Sequence, residues 1–180
     1  MIRVIDIFLS ILGLILFLPF LPFIFLAASI ETGSAIFNKL RVGKNQKPFL
    51  LYKFRSMKIN SPIRATHLMS KTNITKYGNF LRTYKLDEIL QLYNVIIGNM
   101  SLVGPRPCLI SQKKLIIERK KRGVFQVKPG ITGLAQIRGI TMKNPVLLAK
   151  TDSKMIKQFN LSNYFYYLII TLMIIFKKKS

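Results

Sequence analysis

The feature that most constrains this chain is "IFLSILGLILFLPFLPFIFLAA", Ile7 to Ala28, 22 residues with no charged side chain and two prolines inside. As a straight helix it would reach roughly 33 Å at ~1.5 Å per residue, enough to cross the hydrocarbon of a bilayer. Pro19 and Pro22 complicate that. Each removes a backbone donor and crowds the preceding turn, so two of them in mid-run bend or break a helix. Either half alone, about a dozen residues, is too short to cross. A cleaved signal peptide, a spanning helix and a re-entrant helix-break-helix all compete. The first is the weakest, because acidic Asp6 accompanies Arg3 ahead of a long apolar stretch. Hydropathy leaves the other two level. Basic residues after the run (Lys39, Arg41, Lys44, Lys47) place the following chain in the cytoplasm under both.

Charge narrows the partners. The 180 residues hold 29 Lys and Arg against six Asp and Glu, a formal net charge of +23, yet half of them are hydrophobic. That length is most simply one domain. Such an excess attracts nucleic acid, an anionic lipid surface or a phosphorylated substrate. Nucleic acid is not expected, because the basic residues are scattered among apolar runs and form no dense arm. A chain both basic and apolar suits anionic membrane lipids. The single cysteine, Cys108, excludes an internal disulfide, and with the lone His67 it makes no zinc site.

The remaining pattern predicts an α+β chain, mainly helical. "SAIFNKLRV" and "PFLLYKFRSM" flank "GKNQK" and read as a small β-hairpin with a longer loop. Residues 59–76 are polar and turn-rich, hence loop. Apolar residues at Leu86, Ile89, Leu90, Tyr93, Ile96 and Ile97 mark a helix that stops at Gly98. "GPRP", Gly104 to Pro107, is a rigid loop. "SQKKLIIERKKRG" is a basic helix ending at Gly123, and "VKPGITGLAQIRG" is extended and glycine-punctuated. The tail predicts an interfacial amphipathic helix over 161–176, with Tyr164, Tyr166 and Tyr167 at headgroup depth and lysines closing it. The expected division is a membrane segment over 1–30 and a cytoplasmic-facing domain over 31–180.

In so basic a chain the adjacent acids Asp87 and Glu88 need a reason. At the start of a predicted helix they would simply suit the macrodipole, worth ~0.3–1 kcal/mol. A second explanation uses their neighbours. Arg82 lies just upstream and the rigid loop presents Arg106, a planar donor suited to phosphate. Carboxylates beside phosphate-binding arginines can carry a divalent cation, and an aspartate can itself accept a phosphoryl group.

"KLDEILQLYNVIIGNMSLVGPRP" resembles the core motif of the bacterial sugar transferases, the polyprenyl-phosphate hexose-1-phosphate or monotopic phosphoglycosyl transferases. "RVID", "RVGKNQKPFLLYKFRSM" and "VKPGITGLAQIRG" extend the resemblance, in order, over nearly the whole chain. It implies an enzyme in which Asp87 of the Asp87–Glu88 dyad attacks the β-phosphate of a UDP-sugar, releases UMP and holds the phosphosugar covalently. A polyprenyl phosphate then takes the phosphosugar, with Mg²⁺ required. By position Arg82, Arg106, Lys53 and Arg41 match phosphate-binding or near-site residues, and Asp152 is the match for a further aspartate that would join Asp87 and Glu88 at the metal. The family's membrane break matches Pro19, which favours the re-entrant form, with both ends on the cytoplasmic side of the bacterial inner membrane. Leu18, Leu134 and Asn99 depart from the family pattern. No code for the sugar is legible; residues 59–76 and 139–150 are the loops expected to select it. A non-enzymatic basic membrane adaptor is the alternative, and it gives no reason for an acidic pair near "GPRP".

Overall fold

The structure is a computed structural model that describes residues 1–59 and 73–177. The apolar run forms α1 (Ile2–Phe17) and α2 (Leu21–Thr32), joined by a single 3-10 turn at Leu18–Phe20. Pro19 sits at the start of that turn and Pro22 at the start of α2, where a missing N–H sacrifices least. Phe17 and Phe20 keep right-handed dihedrals, so the prolines interrupt the α ladder and the helical path continues for 31 residues, to Thr32. Gly33, at φ 78°, then ends it in the left-handed conformation that glycine adopts without strain. This stretch is long and apolar enough to cross a membrane by length and composition. Val4, Phe8, Leu16, Phe23 and Ile30 stand exposed along it, an apolar face too large for water, which marks a membrane protein.

Both arms also dock on the rest of the chain. Arg3 donates to the carbonyls of Val95 and Ile96 at 2.6 and 2.8 Å. Asp6, buried, accepts from Ser101 Oγ, the Leu102 amide and the Tyr164 hydroxyl at 2.8, 2.9 and 2.8 Å. From α2, Ile24 packs with Phe54, Leu81 and Ile89, and Glu31 accepts from the Tyr77 amide at 3.1 Å.

The expected hairpin is β1 (Ile36–Val42) and β2 (Pro48–Phe54), antiparallel, with Ile36 opposite Phe54 and Val42 opposite Pro48. Further elements are α3 (Lys76–Thr83), α4 (Gln91–Ile96), β3 (Ser101–Val103), β4 (Cys108–Leu109) and α5 (Lys113–Lys121). Then follow β5 (Gly130–Thr132), α6 (Leu134–Ile137), α7 (Pro145–Lys157) and α8 (Leu161–Lys177). β4 adds to β1, giving the order β2-β1-β4, and β3 pairs with β5 in parallel. Opposite residues of an antiparallel pair share a face, so Phe49, Leu51, Arg41 and Lys53 all point inward. Phe49 and Leu51 join Val95, Met100 and Tyr164 in the main core, while Leu40 and Leu50 face out.

Several expectations change. The helix expected from Leu86 begins as a separate 3-10 turn, Leu86–Glu88, before α4. Its buried face includes Gln91 and Asn94, while Tyr93 and Ile97 are exposed. Asn94 is inside because its amide completes a strand edge: Oδ1 accepts from the Tyr52 amide at 3.0 Å and Nδ2 donates to the Leu50 carbonyl at 2.7 Å. Part of the glycine-punctuated segment is helical, as α6, and α7 occupies the second half of the expected 139–150 loop. Of the expected loop 59–76, residues 60–72 lie outside the described residues, and Lys76 opens α3. Tyr164 and Tyr167 are buried against the body, so of the three α8 tyrosines only Tyr166 is free for an interface. Lys178 and Lys179 lie outside the described residues.

Candidate active site

Asp87 and Glu88 ride on the three-residue 3-10 turn, launched by Lys85 in the left-handed conformation at φ 60°. That is uncommon for a residue with a side chain beyond Cβ and concentrates at functional turns. So short a turn sums few peptide dipoles, which removes most of the macrodipole explanation for the acids.

Glu88 accepts from Arg106 Nη2 at 2.7 Å. Burial alone would push its carboxyl up, but Arg106, Lys85 and Lys53 outweigh this and hold it at about 2. Arg106 in turn is held above its ordinary value, first by Glu88. Its side chain remains 41% exposed, so the ion pair leaves guanidinium surface for a ligand. Asp87 differs from its neighbour. It is 5% exposed and makes no side-chain hydrogen bond among the described residues. Burial, then Glu88, push its carboxyl up, against the pull of Lys53, Lys85 and Arg82. One carboxylate is therefore paired and firmly ionised, and the other is raised and uncommitted.

Lys53 comes from the inward face of β2 and sits 5.4 Å from the centre of the Phe37 ring. Burial lowers its ammonium most, while Asp87 opposes that shift. Arg41 comes from β1, opposite Leu109 of β4, so the added strand carries the "GPRP" loop to it. Burial first, then Arg106, lower Arg41 to about 10, and its Nε is buried without a partner among the described residues. Arg82, at the end of α3, is held through Nε to Ser56 Oγ at 2.8 Å. Arg41, Lys53, Glu88, Gln91 and Arg106 line one pocket. Cations thus outnumber the two acids, and burial concentrates their field on whatever anion enters.

Asp152 is not brought into this group. It is 1% exposed, and its Oδ2 accepts from Arg119 Nε and Nη2 at 3.0 and 2.7 Å. Arg119, itself 2% exposed, also donates through Nη1 to the Arg106 carbonyl at 2.8 Å. Asp152 therefore braces the loop of Arg106 from behind, which does not fit the expected metal ligand. No cluster of three or more His, Cys, Asp or Glu occurs among the described residues. The chain offers the adjacent carboxylates Asp87 and Glu88, a donor set that suits Mg²⁺ sharing its remaining positions with phosphate oxygens and water.

The sequence reading missed Lys85, Arg119 and Ser56. Lys85 stands beside the dyad and carries the turn, though nothing in "TYKLDE" reveals a positive φ. Arg119 is four residues after buried Leu115, hence on the same helix face. That spacing was a usable signal, hidden among the other cations of α5.

Comparison with known proteins assigns the class. The bacterial sugar transferase family model matches residues 1–178, and the chain belongs to that family. Relatives include the UDP-glucose:undecaprenyl-phosphate glucose-1-phosphate transferase of Escherichia coli (strain K12), 43% identical over 140 residues, 74% of this chain and 30% of that one. The undecaprenyl-phosphate galactose phosphotransferase of Salmonella typhimurium is 38% identical over 157 residues, 76% of this chain and 32% of its own length. A putative undecaprenyl-phosphate N-acetylgalactosaminyl 1-phosphate transferase of Bacillus subtilis is 43% identical over 108 residues, 58% of this chain and 60% of its own. The chain thus spans about a third of the length of the first two.

Proposed function

We propose that this chain transfers a sugar-1-phosphate from a UDP-sugar to a polyprenyl phosphate, the first membrane step of a bacterial surface glycan. The observation that carries it is a buried Asp87 with no side-chain hydrogen bond among the described residues, set in the field of Lys53, Lys85 and Arg82 beside the Glu88–Arg106 pair. The relatives' names give the acceptor as undecaprenyl phosphate and differ in the sugar.

The steps follow from the charges. Arg106, Arg82, Lys53 and Arg41 hold the pyrophosphate of the donor. An Asp87 carboxylate oxygen attacks the β-phosphorus, the bond from that phosphorus to the bridging oxygen breaks, and UMP leaves with the electron pair. The product is a phosphosugar esterified to Asp87. An oxygen of the lipid phosphate then attacks the same phosphorus, the Asp87 carboxylate leaves, and a polyprenyl-diphosphate-linked sugar is released. Both steps exchange one phosphoryl bond for another, so the protein mainly positions groups and neutralises charge. Mg²⁺ held by Asp87 and Glu88 would neutralise pyrophosphate charge.

The membrane arrangement proposed is re-entrant and monotopic, with the site facing the cytoplasm at the inner membrane. The docking of both α1 and α2 on one body supports it, because a spanning helix would leave one of its ends across the bilayer from that body. Anionic lipids then meet the excess positive charge. The test is UMP release from UDP-sugars with and without undecaprenyl phosphate. Lipid-dependent release that Asp87→Asn lowers by at least about 10³-fold is expected, in line with loss of a nucleophile. Release equal in Asp87→Asn and wild type would remove Asp87 from the chemistry.

A further inference from the structure

A groove of about 240 Å³ runs from Glu88 toward α8. Its charged end is Lys85, Glu88 and Arg106, and its walls are apolar, with Ile131, Ile137, Ile174 and Ile175 among them. Thr132 of β5 and Thr171 of α8 both line it and touch through their hydroxyls, and Thr171 donates to the Tyr167 carbonyl at 2.7 Å. The groove thus lies along the seam where α8 joins the body. Beyond it α8 exposes Leu172, Met173 and Phe176, a surface suited to acyl chains.

We propose that this groove seats the first isoprene units of the polyprenyl phosphate acceptor, with its phosphate between Lys85 and Arg106. The assignment rests on the transfer reaction proposed above for the neighbouring dyad. A nucleotide-sugar is polar throughout and gains nothing from isoleucine walls. The ligand that matches both ends has an anionic head and a branched apolar tail. The groove adjoins the pocket of Arg41 and Lys53, because Glu88 and Arg106 line both. Lipid phosphate held there lies against Glu88, the neighbour of Asp87, and at Arg106, which also borders the donor pocket. After UMP leaves, the lipid phosphate moves from this groove to the face of the phosphorus opposite Asp87, where in-line attack displaces the carboxylate.

The test is photo-crosslinking of the full chain in nanodiscs with a diazirine-bearing farnesyl phosphate, in the absence of any nucleotide-sugar, mapped by peptide mass spectrometry. Crosslinks are expected on residues 131–137 and 171–175, displaced by undecaprenyl phosphate and untouched by phosphatidylglycerol. Ile174→Trp or Ile137→Trp, filling the groove, should cut them about tenfold, whereas Ile169→Trp on the exposed face of α8 should not. Crosslinks on exposed faces alone, displacement by phosphatidylglycerol as readily as by undecaprenyl phosphate, or indifference to both groove variants would overturn the assignment. Because no donor is present, the labelling is independent of turnover. Specific labelling with no UMP release would keep the groove and remove the transfer reaction; UMP release with no groove labelling would do the reverse.

Discussion

At the scale of residues, two ion pairs with one chain segment between them organise the site, the rear one fully buried and the front one open on the Arg106 side. Arg106 pairs in front with Glu88, and its carbonyl is held from behind by Arg119 of the Arg119–Asp152 pair. The front pair gives a pH dependence whose sign is fixed. Glu88 falls from its ordinary 4.5 to about 2 on folding, so its stabilisation is complete above about 4.5 and fades as pH drops toward 2. Arg106→Gln removes the main cause. Its loss of stability relative to wild type, measured by urea unfolding in detergent with EDTA, should be greatest near neutrality and shrink below pH 4.5; a gap constant with pH would contradict this. The rear pair distinguishes bracing from metal binding. Asp152→Ala strands a buried guanidinium and should lower stability by about 3–5 kcal/mol. In the fraction that folds, the Mg²⁺ concentration for half-maximal UMP release should stay as in wild type; a large rise would restore Asp152 as a ligand. The dyad and Arg106 were legible because acids are rare in this chain and the proline-flanked arginine stands out. Asp152 was misread because its partner, Arg119, is 33 residues away and lies in a run of cations.

At the scale of elements, local pattern succeeded where a segment's own face decides its structure. Two short apolar-rich runs flanking "GKNQK" gave the hairpin, and Gly123, at φ 69°, ends the basic helix region as expected. Pattern failed where a partner overrides it. Asn94 is buried because β2 needs an edge partner, and Tyr164 is buried because Asp6 of α1 accepts its hydroxyl. α7 begins with Asn144 accepting from the Leu147 amide and Pro145 at the first helical position, start signals inside a stretch expected as loop. Asp6 yields the prediction at this scale. From α1 its side chain bonds both α8 and β3. Asp6→Ala should cost on the order of 3 kcal/mol and speed amide exchange in 161–171 more than in the hairpin. Uniform change, or none, would mean α8 is held by apolar packing alone.

At the scale of the whole molecule, the charged site, the apolar groove and the N-terminal helix adjoin, as the proposed chemistry between a soluble donor and a lipid acceptor requires. Ile89 and Leu92 line the groove and pack in the cluster that holds Leu14, Phe17 and Ile24. The anchor's topology has a direct test. Cys108 is buried, so introduced cysteines give a clean signal. A cysteine ahead of Ile2 and one at Lys44 should both react with a membrane-impermeant maleimide in inside-out vesicles and neither in intact spheroplasts; labelling of the N-terminal one from outside would mean a spanning helix. The role of Asp87 is tested by the intact mass of detergent-purified protein after incubation with Mg²⁺ and a panel of UDP-sugars, wild type beside Asp87→Asn. One phosphosugar-sized adduct is expected, on wild type only, that disappears when undecaprenyl phosphate is added. An adduct of the same mass on Asp87→Asn, or UMP release by wild type with no adduct trapped at any time of quenching, would contradict it.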